Sequence, residues 1–178
     1  AAIVYDPFHV IKLMSERLDQ VRREAMRNAA TDPERKRIKG RRWLLLRGIE
    51  QLDRDARREL RDLWDANRPI AIASMLKEKL RWIYSGCRDW ESAATELANW
   101  CGLAKVSGIA PLVTMARTIR KRWNGILAYW TTRLTTAKLE GFNNKIRWLV
   151  RQAFGYADEQ YFFLKIHDLP KINTERQL

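Results

Sequence analysis

The sequence predicts a mainly α-helical fold with one short strand at its start. Three observations carry this. Apolar residues recur three and four positions apart through most of the chain, the period of a helix with one buried face. Helix-start and helix-stop signals, among them Asp6-Pro7, Asp32-Pro33, Asn67-Arg68-Pro69 and Gly155, fall between those stretches. The β-prone run Ile3-Val4-Tyr5 is the exception, and it stops at Asp6-Pro7.

A strand over Ile3–Tyr5 has backbone groups that need partners. Either it is not a strand, or its sheet lies upstream of residue 1, and it is expected to be frayed or paired with another molecule. Pro7 suits the first turn of a helix, whose apolar positions are Ile11, Met14, Leu18 and Val21. Thr31-Asp32-Pro33 breaks that helix and starts another. Lys36 to Arg42 is a basic run containing Gly40, followed by the apolar cluster Trp43-Leu44-Leu45-Leu46. Asp53 to Asn67 is a charged helix with Leu60, Leu63 and Trp64 on its stripe. Ile70 to Ser85 is the next, with Ile72, Met75, Leu76, Leu80 and Ile83 inside. Asp89 caps a helix running to Cys101-Gly102. Gly108 to Pro111 opens one long helix through Met115, Ile119, Trp123, Ile126, Leu127 and Trp130. Another covers about Thr135 to Phe154, and Glu159 to Asp168 reads as helix rather than strand. The tail from Pro170 is polar. Trp43, Trp64, Trp82, Trp100 and Trp123 are expected to pack in the core.

Composition narrows the function. The chain has 178 residues, 34 Lys+Arg against 21 Asp+Glu, a net charge of +13 and 46% apolar residues. A core is possible, and disorder throughout is excluded. No run of about 18 apolar residues is present, so no membrane span is predicted. Two cysteines, Cys87 and Cys101, without a CxxC motif suit a reducing cytosol rather than a disulfide scaffold. With His9 and His167 they have no zinc-ligand spacing. The charge is concentrated. Residues 12–61 are net +7, residues 62–116 are balanced, and residues 117–151 are net +8. Arg outnumbers Lys by 23 to 11, which suits bidentate phosphate contacts. Nucleic acid is the commonest polyanion in a cytosol and the expected partner. The first basic block interleaves acids and can equally be a set of solvated helix faces. The second nearly lacks them.

Two acidic residues are candidates for chemistry. Glu140 is the one acid among residues 117–151. On a helix, Arg133, Ala137, Glu140, Asn144 and Arg147 share a face. Glu140 either neutralises that cluster, which composition alone favours, or holds a divalent cation while its neighbours grip phosphates. Asp6 is either the N-cap of the helix at Pro7 or a metal ligand at the end of a strand.

Taken in order, Val4-Tyr5-Asp6-Pro7-Phe8-His9-Val10, Lys39-Gly40-Arg41-Arg42-Trp43, Asn67-Arg68-Pro69, Ser107-Gly108-Ile109, Glu140-Gly141-Phe142-Asn143-Asn144-Lys145-Ile146 and Arg151-Gln152-Ala153-Phe154-Gly155-Tyr156 resemble the catalytic domain of bacterial DDE-type transposases. The closest group is the insertion-sequence-L-three family, and the likeness runs over nearly the whole chain.

The resemblance implies an incomplete ribonuclease-H-like domain, with one N-terminal strand remaining and a large helical insertion. Residues 1–178 would be the C-terminal part of the catalytic domain, about 12–130 including the insertion and about 131–168 the Glu-bearing helix and following segment. It implies Mg²⁺-dependent cleavage and strand transfer of insertion-sequence ends. Two Mg²⁺ ions would be held by three carboxylates, of which Asp6 and Glu140 match the second and third. The first Asp has no counterpart, so the chain alone is expected to bind Mg²⁺ weakly and to be inactive. The partners implied are transposon-end and target DNA, with a homo-oligomer forming on the DNA, no membrane and no small-molecule substrate. The implied setting is the cytoplasm of a bacterium, near the nucleoid. Position along the chain, rather than the family, suggests Arg133, Lys138, Asn143, Asn144, Lys145, Arg147 and Arg151 as DNA contacts. Phe142 and Trp148 either stack on a base or pack. The alternative is a non-enzymatic basic helical module that binds DNA or inhibits an intact transposase.

Overall fold

Pro7 cannot donate a backbone hydrogen bond and has a helix-compatible φ, so it sits without cost in the first turn of the first helix. In the computed structural model that helix, α1, spans Pro7–Asn28 and is capped by Asp6. The structure describes residues 4–133. The chain divides into units Ala1–Leu134 and Thr135–Leu178, and the described residues belong to the first. After α1 come α2 (Asp32–Ile38), α3 (Arg42–Leu46), a 3₁₀ turn at Ile49–Gln51, α4 (Arg54–Ala66), α5 (Arg68–Gly86), α6 (Trp90–Val106), α7 (Ala110–Lys121) and α8 (Trp123–Thr132).

The helix boundaries follow local chemistry. Thr31 and Glu34 form a reciprocal capping box at the start of α2. Asp53 caps α4 through the Ala56 amide, and Asp89 caps α6 through the Ser92 amide. Asn67 is shared: it closes α4 and its side chain caps α5 at Ile70. Gly40, at φ 78°, takes the left-handed turn between α2 and α3.

One core runs through the eight helices. α1 lies along α5 and α7, while α6 packs on α5, α7 and α8. Val10, Met14, Leu18 and Val21 of α1 meet Leu76, Leu80 and Ile83 of α5, Leu97 and Trp100 of α6, and Leu112, Met115 and Ile119 of α7 within this cluster. Trp100 is fully buried, and its indole N–H donates to the Leu76 carbonyl at 2.7 Å. A buried indole needs such a partner.

The described residues are mainly helical, as predicted, but five sequence expectations need correction. Val4 and Tyr5 form no strand, and no strand occurs among the described residues. Ile3 lies outside them. Tyr5 is neither frayed nor paired elsewhere: its amide donates to the Gly125 carbonyl at 2.9 Å and its ring packs on the core. The long helix through Trp130 is two helices, α7 and α8, because Arg122 leaves helical geometry (φ −107°, ψ 20°). The weak helix former Gly125 lies just beyond this break. α6 continues past Gly102 to Val106. Finally, Met75, Trp82 and Trp43 are exposed rather than packed, whereas Trp64 and Trp123 are half-buried against the core. Met75 and Trp82 are seven residues apart and share a face of α5 opposite the stripe Ile70, Ala73, Leu80 and Ile83.

Lys77 takes an apolar place on that stripe. It is fully buried, and its ammonium donates to the Leu45 and Arg47 carbonyls at 2.5 Å each. Glu78 Oε1 lies 2.9 Å away. Burial lowers the Lys77 pKa, and Glu78 opposes that shift. Two carbonyl acceptors and the adjacent Glu78 carboxylate compensate the buried ammonium, which ties the end of α3 to α5.

Candidate active site

Asp6 sits where the extended chain turns into α1, with φ −63° and ψ 134°. Its Oδ1 accepts the Phe8 amide at 2.6 Å, and its carbonyl accepts from His9 and Val10 at 3.1 and 3.3 Å. Only 6% of it is exposed. A buried carboxylate is costly unless it is hydrogen-bonded. Here the cap bond and the positive end of the α1 dipole supply that compensation. The N-cap reading is therefore what the structure shows, and it fixes the carboxylate on a rigid element.

Asp6 feels Tyr84 of α5, whose aromatic neighbours come from a distant part of the chain. Tyr5 is held by its bond to Gly125 of α8, with the Arg122 guanidinium 5.0 Å above its ring. Tyr84 of α5 stacks on Trp130 of α8 at 4.8 Å and meets Tyr129 edge-on at 5.6 Å. The Trp130 indole N–H donates to the Cys87 carbonyl at 3.0 Å. Burial pushes the Tyr84 phenol well above its ordinary pKa, and the neighbouring Tyr129 and the negative charge of Asp6 push it further. Tyr84 thus stays neutral beside Asp6. The sequence analysis missed this aromatic wall. Tyr84 and Trp130 are 46 positions apart, and no local signal joins them.

Arg133 is the one proposed DNA contact among the described residues. It ends α8 in a left-handed conformation (φ 52°), with its amide bonded to the Tyr129 carbonyl at 2.7 Å. The helical face it was expected to share with Ala137, Glu140, Asn144 and Arg147 lies outside the described residues. Its guanidinium lies 5.5 Å from the Tyr129 ring centre and donates to the Arg88 carbonyl. Glu140, Lys138, Asn143, Asn144, Lys145, Arg147 and Arg151 lie outside the described residues, as do Phe142 and Trp148. Of the second basic block, Arg117, Arg120, Lys121 and Arg122 are exposed. Arg120 and Lys121 occupy the last turn of α7, where cations offset the helix dipole.

Mg²⁺ takes oxygen ligands, and the Asp6 carboxylate is of that kind. Among the described residues, no group of three or more His, Cys, Asp or Glu side chains is placed to hold a metal ion. They supply one suitable ligand rather than a complete centre.

The sequence profile of a transposase family, the DDE-type ISL3 group, matches residues 1–166. This chain belongs to that family. Both acids singled out above, Asp6 and Glu140, fall inside the matched range. The chain is similar to the transposase for insertion sequence element IS1001 of Bordetella parapertussis, at 41% identity over 170 residues, covering 93% of this chain and 41% of that protein. It is also similar to the transposase for insertion sequence element IS1557 of Mycobacterium tuberculosis, in strains CDC 1551 / Oshkosh and H37Rv. The identity there is 30% over 177 residues, covering 87% of this chain and 39% of that protein. The chain thus spans about two-fifths of the length of these curated relatives. No solved structure matches it. No helix among the described residues of this ISL3 transposase chain is long and apolar enough to cross a membrane.

Proposed function

We propose that this chain is part of the catalytic domain of a DNA transposase, in which Asp6 and Glu140 bind Mg²⁺ for cleavage and strand transfer at insertion-sequence ends. Membership of the transposase family over residues 1–166 carries this reading. The placement of Asp6 supports it: a buried carboxylate, fixed by the Phe8 amide, is a preorganised oxygen ligand.

The chain's own residues divide the work. The Asp6 and Glu140 carboxylates are the metal ligands. The Phe8 amide orients Asp6. Arg133, Lys138, Asn143, Asn144, Lys145, Arg147 and Arg151 bind the DNA strand, so that positioned cations face the charge that builds on phosphate oxygens. Bound Mg²⁺ supplies activation of water or of a DNA 3′-OH and stabilisation of the leaving oxygen. The ribonuclease-H-like architecture, assembly into oligomers on DNA and a cytoplasmic setting in a bacterium belong to the same proposal.

Two carboxylates make a weaker metal site than three, so the 178-residue chain alone is expected to bind DNA without cutting it. Incubating it with end-labelled duplex and Mg²⁺ or Mn²⁺, resolved on native and denaturing gels, tests this. A retarded but intact strand is the expected result. Specific nicking contradicts the expectation of inactivity, and the absence of any DNA complex contradicts the DNA reading itself.

A further inference from the structure

We infer that residues 35–47, with the arginines of α1 beside them, form a second DNA-contacting surface, in which Trp43 stacks on an unpaired base and Arg23, Arg42 and Arg47 hold the adjoining phosphates. This rests on the DNA reading above but concerns a surface remote in sequence from Glu140.

Residues 35–47 contain seven cations and no acid. The structure sorts them. Arg35 pairs with Asp32, and Arg41 pairs with Glu59 at 2.6 Å. Arg37 and Arg41 line a groove with Glu59, Asp62 and Asp65, so their charge is balanced there. The other side is not balanced. Arg22, Arg23 and Arg42 converge on one carboxylate, Asp19, at 2.8, 3.3 and 3.4 Å. Three guanidiniums on one carboxylate leave a local surplus of two positive charges. The Arg23 and Arg42 side chains are more than half exposed, so their remaining donors face solvent. Among the described residues, Lys36, Lys39 and Arg47 have no carboxylate in an ion pair.

Trp43 stands within this surface. It is 44% exposed, although α3 buries Leu44 and Leu45 beside it. The Arg47 guanidinium lies 5.4 Å from its ring centre. An exposed indole beside a guanidinium, on a surface with surplus cations, is an arrangement that binds single-stranded nucleic acid, with the ring stacking on a base and the cations tracking the backbone. The platform is rigid, because buried Lys77 holds the Leu45 and Arg47 carbonyls from below. A fully paired duplex presents no open base face to Trp43, so the indole discriminates for unpaired DNA.

The test is fluorescence anisotropy of the 178-residue chain with labelled DNA, comparing a single strand with a blunt duplex of the same sequence. Trp43→Ala is expected to weaken single-strand binding by about fivefold or more, and to leave duplex binding within about twofold. Trp43→Phe is expected to retain most of the affinity, and Trp82→Ala, at another exposed tryptophan, to change nothing. Arg23→Gln, Arg42→Gln and Arg47→Gln are each expected to lower the slope of log affinity against log salt by about one. Single-strand binding unchanged in Trp43→Ala and an unchanged salt slope in the arginine variants overturn this surface while leaving the DNA reading intact. No binding of either DNA by the wild-type chain overturns both.

Discussion

Asp6 and Asp89 show how one residue type at one kind of position can have different consequences. Both are N-caps, but Asp6 is buried while Asp89 is open to water. The bond from the Ser92 amide, with the Ser92 hydroxyl close by, holds the Asp89 carboxyl below the usual carboxylate range. Its ionised form is therefore favoured by folding. Its stabilising effect is present above the unfolded pKa, near 3.9, and is lost as pH falls through the lower folded value. Asparagine caps equally well but does not titrate in this range. Asp89→Asn should match wild type in thermal melts at pH 7 and lose less stability as the pH falls below about 4. An acid-side slope unchanged by the substitution would contradict this account. Caps were the most legible residues in the sequence, because Asp, Asn and Thr act on amides two or three positions away. Lys77 was not read from the sequence as a buried, partnered cation. Its partners, the Leu45 and Arg47 carbonyls, lie about 30 positions away in the chain, where no local pattern points to them.

At the level of elements, periodicity places the helices, and tertiary contacts decide where they break and which face is buried. Met14, Leu18 and Val21 of the α1 stripe were readable, whereas Val10 is buried in the first turn and Ile11 only partly so. The break at Arg122 was not readable, because apolar spacing continues through Met115, Ile119, Trp123 and Ile126 without interruption. What distinguishes the two helices is Arg122 itself, and beside it the Gly125 carbonyl bonds to Tyr5, more than 100 residues earlier. The same bond explains why a β-prone start is not a strand: its partner is a helix end. Trp100 anchors α6 against α5. Replacing it with alanine removes a fully buried ring and leaves a cavity, at a cost of about 3–5 kcal/mol. Urea unfolding followed by circular dichroism should show that loss. A change below about 1 kcal/mol would mean that α6 is not held by this residue.

For the whole molecule, the net charge of +13 says little until it is placed. Along the chain, the first basic block could be either a set of solvated helix faces or a polyanion-binding surface. In the fold it separates into a balanced groove beside α4 and an unbalanced cluster on Asp19 next to Trp43. Side-chain sorting of this kind depends on packing between α1 and α3, which charge counting along the chain does not capture. The family was legible because its motifs are contiguous and ordered. Much of the candidate site was legible only by resemblance, since Asp6 and Glu140 are 134 positions apart. The central claim is that these two carboxylates bind one kind of metal. Substoichiometric Mn²⁺ added to the ¹⁵N-labelled chain detects even a weak site, through paramagnetic broadening of nearby amide signals. Amides adjoining Asp6 and Glu140 should broaden first, and Asp6→Asn, which keeps the cap, should abolish the effect at both. Broadening centred elsewhere, or unchanged in Asp6→Asn, would contradict the account.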